Sequence, residues 1–448
     1  MQFLRFRHHG SRFIAIVPVI LSLCFISGIA EASSFLVTWE APSSAPSGSL
    51  DYYVYYSTVP GDFDDEHRCF VDGSESVVIE VPGEEATAYY FAVQSVDTDS
   101  GLTSTLAAPQ EPMLVAGPGP GCSSSDTARL FAFNDLAPES ASFAAFDNAG
   151  DTRGLMLACG DVLGLGHDQI IAAAGPGSHG PEIRVFHADG TQADNGCFQA
   201  FAYGTAGASV CCGDIDGDGM DEIVAGVGPG RFYKPGVRVF DYCGETFSGV
   251  DGLEFLAFPK DQGYGVSVAC GDLDGDGIDE IITGCGPGPA LGSRVRAFRL
   301  ENGSIIPFPG VDFVAYPGTD TRGVNVACGD LDGDGYDEII TGPGPALNCG
   351  AVVRTFNVDG GTALEAGPAF RAYPMPHYGV KVAAADVDGN CLEEVITAPG
   401  PSVNYPGVIR WFSVTGGRAE CGGEIDAFEG TGDDCYGANL AAGRLPTI

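Results

Sequence analysis

The sequence predicts an all-β protein in which a six-bladed β-propeller, closed by its C-terminal strand, follows a smaller β-sandwich. Two repeats predict the propeller: an acidic, glycine-rich segment that recurs along the chain, and an Arg-x-Phe element that recurs every 54 to 58 residues. Such a period accommodates four short strands and their turns. A third observation, a set of short alternating strands before residue 112, predicts the sandwich.

The overall charge of the chain is strongly negative. Its 448 residues include 21 Lys and Arg against 60 Asp and Glu, which gives a formal net charge of −39. Binding to nucleic acid or to anionic lipid requires clustered basic residues, so the sequence argues against both partners. Much of the acidity lies in the repeated loops, where closely spaced carboxylates repel one another unless a cation neutralises them.

Residues 1–32 have the pattern of an export signal. Three arginines precede the apolar run 13–29, and the Ala-Glu-Ala sequence at 30–32 supplies small residues for cleavage. An uncleaved membrane anchor is the alternative, although the run is barely long enough to span a bilayer. We therefore expect an exported chain, either secreted, periplasmic or at the cell surface, with no membrane insertion after signal cleavage.

Residues 33–112 differ from the rest of the chain because they contain short alternating strands without the acidic repeat. The first strand pattern contains Trp39 and ends at Pro42, and a later one, at 89–96, is rich in aromatic and β-branched residues. In these features the segment resembles a fibronectin type III domain, which implies a small β-sandwich. Residues 104–112 are predicted to link it to the repeats.

The repeats begin near Met113, and one unit at 265–316 shows their order. A strand ends in the acidic loop, a second strand leaves it, and a Gly-Pro-Gly turn leads to a third strand with Arg-x-Phe; a fourth carries Phe-x-Ala-aromatic. The chain enters this pattern at a second strand, at Met113, and leaves it after a first strand, at 436–443. The C-terminal strand can therefore complete the sheet begun at Met113, so that residues 113–448 form six blades without an exposed sheet edge.

The acidic loops have the carboxylate spacing of a metal site. In the loop 214–222, carboxylates occupy positions 1, 3, 5 and 9, and glycines at positions 4 and 6 allow a tight turn. Calcium takes six or more oxygens, which these side chains and one backbone carbonyl at position 7 can supply. We predict three calcium sites and a weaker fourth, because Asn390 and Cys391 interrupt the pattern at 386–394. The predicted ligands, with the position 7 residues contributing carbonyl oxygens, are Asp214, Asp216, Asp218, Met220, Glu222, Asp272, Asp274, Asp276, Ile278, Glu280, Asp330, Asp332, Asp334, Tyr336, Glu338, Asp386, Asp388, Asn390, Leu392 and Glu394.

Two equivalents of these loops are predicted to bind no metal. Leu163, Leu165 and Gln169 replace ligands in the first loop, and Arg444 stands at the start of the sixth. The acid at position 8, such as Asp221, is expected to face solvent, although positions 8 and 9 could exchange roles. Magnesium is less suitable than calcium because it retains its waters. Plain solvated turns are the alternative, which three near-identical copies at one place in the repeat disfavour.

The DxDGDGxDE loops, together with the GPG and Arg-x-Phe elements, resemble FG-GAP/VCBS-type repeats over residues 113–448. These repeats are best known from the propeller of integrin alpha subunits. The resemblance implies a β-propeller with calcium in hairpin loops. Integrin propellers have seven blades, whereas this sequence predicts six, so details of their ligand site are not transferred.

Three other repeated features receive structural interpretations. The arginines of Arg-x-Phe are expected to pair with an acid of their own or the next blade, and the Phe-x-Ala-aromatic stripe is expected to form core between blades. Four cysteines precede the first loop Asp by two residues and are expected to be buried free thiols, since equivalent positions in successive repeats do not favour pairing. They are Cys159, Cys212, Cys270 and Cys328.

The predicted function follows from the scaffold alone. The sequence has no G-x-S-x-G, H-E-x-x-H or C-x-x-C motif, so no catalytic residue is predicted and a non-enzymatic role is favoured, with the question left open. We expect a calcium-stabilised binding or adhesion protein that recognises an extracellular glycan or protein, with the aromatic loops at 231–234 and 402–406 as contacts. The alternatives are an extracellular polysaccharide lyase or hydrolase and a structural component of the cell envelope.

Overall fold

The structure is a computed structural model. It describes residues 16–19, 32–38, 50–57, 68–71, 76–82, 90–97, 110–119, 126–133, 141–146, 154–177, 179–202, 204–230, 233–260, 264–288, 291–317, 323–345, 350–359, 362–367, 369–376, 379–388, 390, 392–400, 407–415, 418–428 and 437–446. The chain divides into two compact units, one built on residues 1–111 and the other on the residues that follow.

The first unit contains two antiparallel sheets, with strand orders β1-β6-β3-β4 and β2-β5. Its strands are β1 (Ile16–Val19), β2 (Ala32–Thr38), β3 (Leu50–Ser57), β4 (Arg68–Val71), β5 (Ser76–Pro82) and β6 (Tyr90–Asp97). The fibronectin type III resemblance stays a prediction, because Trp39, Pro42 and Tyr89 lie outside the described residues. Strand β1 lies within the predicted export signal and pairs with β6. This pairing belongs to the uncleaved chain, and cleavage stays a prediction.

The second unit is built from antiparallel blades, five with four strands and one with five. Its chain begins with β7 (Gln110–Pro118), β8 (Thr127–Ala132) and β9 (Ala141–Ala144). Blade 1 consists of β10 (Leu155–Gly160), β11 (Gln169–Ala174), β12 (Glu182–Phe186) and β13 (Gln192–Gln199). Blade 2 consists of β14 (Ala208–Gly213), β15 (Glu222–Val227), β16 (Gly236–Tyr242) and β17 (Phe247–Leu256). Blade 3 consists of β18 (Val266–Gly271), β19 (Glu280–Cys285), β20 (Arg294–Glu301) and β21 (Ser304–Val314).

Two more blades and one final strand complete this unit. Blade 4 consists of β22 (Val324–Gly329), β23 (Glu338–Pro343), β24 (Gly350–Asp359), β25 (Thr362–Glu365) and β26 (Phe370–Pro376), the last two pairing with successive parts of β24. Blade 5 consists of β27 (Val380–Ala385), β28 (Glu394–Pro399), β29 (Val408–Thr415) and β30 (Arg418–Asp426). The final strand, β31 (Ala438–Pro446), pairs beside β7, so that blade 6 has the order β31-β7-β8-β9.

The first strands of the blades make neighbouring contacts in a closed cycle. Strand β10 lies between β31 and β14, the succession continues through β18, β22 and β27, and β27 contacts β31 again. These contacts close the ring, and the all-β prediction of six propeller blades completed by the C-terminal strand is confirmed. Within the described residues, no helix combines the length and the apolar character that a membrane crossing requires.

The hydrophobic core of the propeller lies between successive blades. The second strands, such as β19 and β23, are buried at every residue because a neighbouring blade covers each face. The last aromatic residue of each Phe-x-Ala-aromatic stripe is also buried, with Phe146 2 % and Tyr373 0 % exposed. Phe146 belongs to blade 6 and packs in one cluster with Ile170 of blade 1. The prediction that this stripe forms core between blades is therefore confirmed.

Candidate metal centres

The acidic loops connect the first and second strands of the blades. In each blade from 1 to 5, the residue before the loop pairs across the sheet with the residue at position 9, as Gly271 does with Glu280. The short hairpin requires a left-handed backbone conformation at its glycines, with φ of 76° at Gly275 and 85° at Gly277. The strands therefore fix both ends of the loop while the glycines let its middle curl inward.

A network of backbone hydrogen bonds orients the carboxylates, as the blade 3 loop shows. Asp272 Oδ1 accepts from the Gly275 amide at 2.7 Å, and its Oδ2 accepts from the Gly277 amide at 2.8 Å. Glu280 Oε2 accepts from the Leu273 amide at 2.9 Å. The chain thus holds the acids at positions 1 and 9 in place before any ion binds, which reduces the entropy lost on coordination.

Four of the loops bring three carboxylate side chains together, with one oxygen of each within 4.8 Å of the others. These groups are Asp214, Asp216 and Asp218; Asp272, Asp274 and Asp276; Asp330, Asp332 and Glu338; and Asp386, Asp388 and Glu394. They occupy the four loops that the spacing predicts. Among the described residues, the blade 1 loop contributes no such group, in agreement with its missing acids.

The remaining predicted ligands lie in the same loops but outside the three-residue groups. Four of them are side chains, namely Glu222, Glu280, Asp334 and Asn390, and four are the backbone carbonyls of Met220, Ile278, Tyr336 and Leu392. Coordination by these eight residues stays a prediction.

The electrostatics of the loops favour a bound cation. Burial, reinforced by the neighbouring aspartates and opposed by one amide hydrogen bond, raises the pKa of Glu280 and of Glu338 to about 8. Burial and the adjacent Asp276 and Asp272 carboxylates also raise the pKa of Asp274. Asp274 Oδ1 is buried and accepts no hydrogen bond. A cluster of carboxylate oxygens, in which Asp274 Oδ1 has no hydrogen-bond donor, suits a hard cation.

The blade 1 loop keeps the same backbone without the acids. Gln169 stands at position 9, and its Oε1 accepts from the Leu163 amide at 2.8 Å, as Glu280 Oε2 does from Leu273. Asp161 Oδ1 and Oδ2 accept from the amides of Leu165 and Gly166 at 2.7 Å. These hydrogen bonds hold the hairpin in shape, and the leucines at positions 3 and 5 supply no oxygen ligand for calcium.

The prediction that Asp221 faces solvent is wrong. Its Oδ2 accepts from the Asp161 amide of blade 1 at 2.8 Å, and its own amide donates to the Asp161 carbonyl at 3.2 Å. Asp279 and Asp337 make the same pair of bonds to the preceding blade, and Asp168 makes it to Arg444. The position 8 acid therefore joins each loop to its neighbour. The sequence carries a signal for this role, because Asp168 is present in the blade 1 loop, where leucines and a glutamine replace three of the predicted metal ligands.

The glycine before each loop leaves space for that junction. A Cβ on Gly271 would lie 2.5 Å from Cys328 Cβ and 2.6 Å from Asp337 Oδ2, both in the next blade. The next loop also covers the glycine at position 4, since the Tyr336 ring would lie 2.8 Å from a Cβ on Gly275. The candidate metal loops are therefore packed against one another along the ring.

The arginines of Arg-x-Phe in blades 1 to 5 also join successive blades. Each pairs with an acid of its own blade, as Arg410 does with Glu424 at 2.8 Å, which confirms the structural interpretation. Each also donates from Nη1 to an alanine carbonyl of the preceding blade, a contact that the sequence did not predict. The donors and acceptors are Arg184 and Ala145, Arg238 and Ala200, Arg296 and Ala257, Arg354 and Ala315, and Arg410 and Ala372, at 2.6–3.0 Å.

The structure describes only part of the two loops, 231–234 and 402–406, that are predicted to contact a ligand. Residues 231–232 and 401–406 lie outside the described residues. In the first loop, Tyr233 is described, and its hydroxyl lies 2.9 Å from Thr205 Oγ1. Lys234 beside it is exposed.

Comparison with known proteins finds similarity to integrin alpha subunits over part of the chain. The chain is 30 % identical over 222 residues to Integrin alpha pat-2 of Caenorhabditis briggsae, which covers 44 % of this chain and 18 % of that protein. It is 30 % identical over 155 residues to Integrin alpha-V of Gallus gallus, covering 30 % of this chain and 14 % of that protein. The chain thus spans less than a fifth of the length of these relatives, and no family model matches it. The similarity to integrin alpha subunits and the six blades support an FG-GAP-like propeller.

Three solved structures show a distant likeness to this chain. A protein from Lactobacillus plantarum gives a TM-score of 0.40 at 13 % identity, over 71 % of this chain and 82 % of that one. Aleuria aurantia lectin gives a TM-score of 0.40 at 10 % identity, over 72 % of this chain and 97 % of the lectin. Bacillus licheniformis rhamnogalacturonan lyase PL11 gives a TM-score of 0.35 at 16 % identity, over 86 % of this chain and 66 % of the lyase. Similarity at this level carries no argument about function.

Proposed function

We propose that the protein is an exported binding or adhesion protein, in which calcium stabilises the propeller and surface loops recognise an extracellular glycan or protein. The observation that carries this proposal is that a cluster of three carboxylates recurs in four successive blades. Each cluster lies in a loop that is hydrogen-bonded to the preceding blade. A cation in each loop would neutralise acids that repel one another and would stiffen the junctions around the ring.

The residues that would hold calcium are the three-carboxylate groups, completed by the position 9 glutamates where these are outside the groups and by the position 7 carbonyls. Calcium takes six to eight oxygens and tolerates irregular geometry, which suits three side chains, a carbonyl and water. Calcium supplies positive charge to the loop, and the chain itself orients the oxygens through the amides of Gly275, Gly277 and Leu273. In blade 5, Asn390 lowers the negative charge, so weaker binding is expected there.

Recognition is assigned to the loops that follow the second strands. Supporting this, Tyr233 is restrained by its contact with Thr205, while Lys234 is exposed, so that an aromatic face and a cation lie in the same loop. Aromatic side chains with a polar tip are common in binding surfaces. The net charge of −39 supports a partner other than nucleic acid.

The calcium part of the proposal is tested by titrating the metal-free full chain with calcium in a calorimeter. Binding of three to four ions is expected, with loss of one site in Asp332→Asn and no change in the control Asp189→Asn, which alters an exposed acid outside these loops. Absence of calcium binding to a folded chain, or full occupancy in Asp332→Asn, would refute the assignment.

The recognition part is tested on a glycan array in millimolar calcium and again in chelator, with circular dichroism reporting the fold. Calcium-dependent binding is expected, and conversion of bound polysaccharide to shorter products would instead favour a lyase or hydrolase. If a folded, calcium-loaded chain binds no glycan, the glycan ligand is wrong, and a protein ligand is then tested by cell-surface binding. Export is tested by N-terminal sequencing of the protein recovered outside the cell. The mature chain is expected to begin at residue 33, directly after the predicted signal.

A further inference from the structure

Two cysteines from adjacent blades approach each other at the junction of blades 2 and 3. Cys211 lies in β14 and Cys270 lies in β18, and their Sγ atoms are 2.9 Å apart. Both side chains pack into the hydrophobic cluster that spans these blades. The structure describes both as free thiols.

The repeat explains why the thiols meet at this junction. In β14, Cys211 and Gly213 lie on one face of the strand, since side chains two residues apart share a face. That face meets Cys270, whose Cβ would lie 2.6 Å from a Cβ on Gly213. The first strands of the next blades repeat this contact, with Cys328 against Gly271. The residue two positions before Gly271 is Ala269, so Cys328 has no thiol opposite it at that junction.

The same comparison holds at the other described junctions. Cys212 packs against Gly160 and Cys159 packs against Gly443. Two positions before these glycines the chain has Ala158 and Ala441. A cysteine replaces alanine at this position only in blade 2, among the junctions where a cysteine packs against the glycine. Among the four repeated cysteines, Cys270 therefore differs from the other three, because a second cysteine, Cys211, lies beside it.

We propose that Cys211 and Cys270 form a disulfide that covalently joins blade 2 to blade 3. The oxidant is a low-molecular-weight disulfide, for which oxidised glutathione serves as the probe. The thiolate of one cysteine attacks the glutathione disulfide, forming a mixed disulfide and releasing one glutathione thiolate. The second cysteine then attacks the mixed disulfide through its thiolate and releases the second glutathione. Two protein thiols are oxidised, one external disulfide is reduced to two thiols, and the two protons pass to the released thiolates.

The surroundings of the pair determine when this exchange occurs. Both side chains are packed in the core between the two blades, and this burial limits the access of an external disulfide once the ring has closed. Oxidation is therefore faster while the junction is still open during folding. Once the blades have closed, the same burial shields the bond from reductants. The link then fixes the junction between two candidate metal loops, which begin at Asp214 and Asp272.

The experiment refolds the full chain from the reduced, unfolded state in calcium and a mixture of reduced and oxidised glutathione. Because Cys211 and Cys212 are adjacent and no protease separates them, the test protein carries Cys212→Ala and the comparison protein carries Cys211→Ala. Free thiols are alkylated, and the protein is digested without reductant for mass spectrometry. The expected result is a linked pair of peptides containing Cys211 and Cys270 in the first protein and no link to Cys270 in the second. Alkylated Cys211 and Cys270 in a folded Cys212→Ala chain, or equal linkage of Cys270 in Cys211→Ala, would overturn the proposal.

A second measurement does not depend on refolding. Full chain purified in its native state without reductant is melted with and without dithiothreitol. The reductant is expected to lower the Tm of Cys212→Ala by more than that of Cys211→Ala, because unfolding exposes the Cys211–Cys270 bond to the reductant and only the first variant can contain that bond. Equal responses of the two variants would refute the link. This result is independent of whether the propeller binds calcium or a glycan.

Discussion

Calcium binding to the proposed sites is expected to release protons from the position 9 glutamates. Burial raises the pKa of Glu280 and of Glu338 to about 8, above the usual 4.5. At pH 7 each carboxyl group therefore carries about 0.9 proton in the metal-free chain, and at pH 9 about 0.1. A calcium ion requires the ionised form, so binding at these two sites releases about 1.8 protons at pH 7 and about 0.2 at pH 9.

The assay is calorimetric titration of calcium into the metal-free chain in buffers of different ionisation enthalpy, which yields the number of protons released. Glu280→Gln is the matched variant, because Gln169 shows that an amide at position 9 preserves the hydrogen bond to the loop backbone. This variant is expected to release about half as many protons as the parent at pH 7. Proton release that is equal at pH 7 and pH 9, or unchanged in Glu280→Gln, would show that position 9 does not coordinate the ion.

The same pKa values predict how the stability of the metal-free chain depends on pH. A carboxyl group whose folded pKa exceeds its unfolded pKa binds more protons in the folded state, so stability falls as pH rises from about 4.5 to about 8. Calcium bound at the proposed sites is expected to reduce this loss of stability, because it would stabilise the ionised carboxylates. Thermal melting of the metal-free chain at pH 5 and pH 8 is expected to show a smaller difference in Glu280→Gln than in the parent; an equal or larger difference would contradict the assignment.

Three further predictions concern the junctions of the propeller. Gly271→Ala is expected to destabilise the chain by about 1–3 kcal/mol in urea unfolding, because its Cβ would overlap the next blade, whereas Gly204→Ala has open space and is expected to be neutral. Tyr373→Phe is expected to lower the free energy of unfolding by about 1–2 kcal/mol, because the buried hydroxyl lies 2.8 Å from the Val408 carbonyl; Tyr336→Phe, at 47 % exposure, is the control. Chelation of calcium is expected to lower the Tm, and an unchanged Tm would exclude a stabilising role for the ion.

The sequence predicted the number of blades because each repeat carries the same four strand patterns. Its ends fit together for a simple physical reason: a chain that starts at a second strand leaves one sheet without its first strand, and the C-terminal segment supplies it. The acidic clusters of the loops were predictable for a similar reason. Ligands at alternate positions and glycines between them are local properties, and neighbours within nine residues determine which oxygens converge.

The contacts between repeats could not be predicted in the same way. Asp221 is one of several acids in its loop, and the sequence does not say that its oxygens reach the amide of Asp161, 60 residues away. The arginines were predicted to pair with acids, yet their bonds to alanine carbonyls of the preceding blade depend on a backbone group that every residue possesses. Such acceptors have no signature in the sequence.

The sequence by itself determined the all-β class, the period of the repeat and the four acidic loops, because local patterning governs strands, turns and short-range ligand sets. Only the tertiary structure decided which loop touches which, and that Cys211 faces Cys270 while Cys159, Cys212 and Cys328 pack against glycines of the adjacent blades. The physical reason is that ring closure sets the distance between residues about 60 positions apart, and that distance depends on how whole sheets pack.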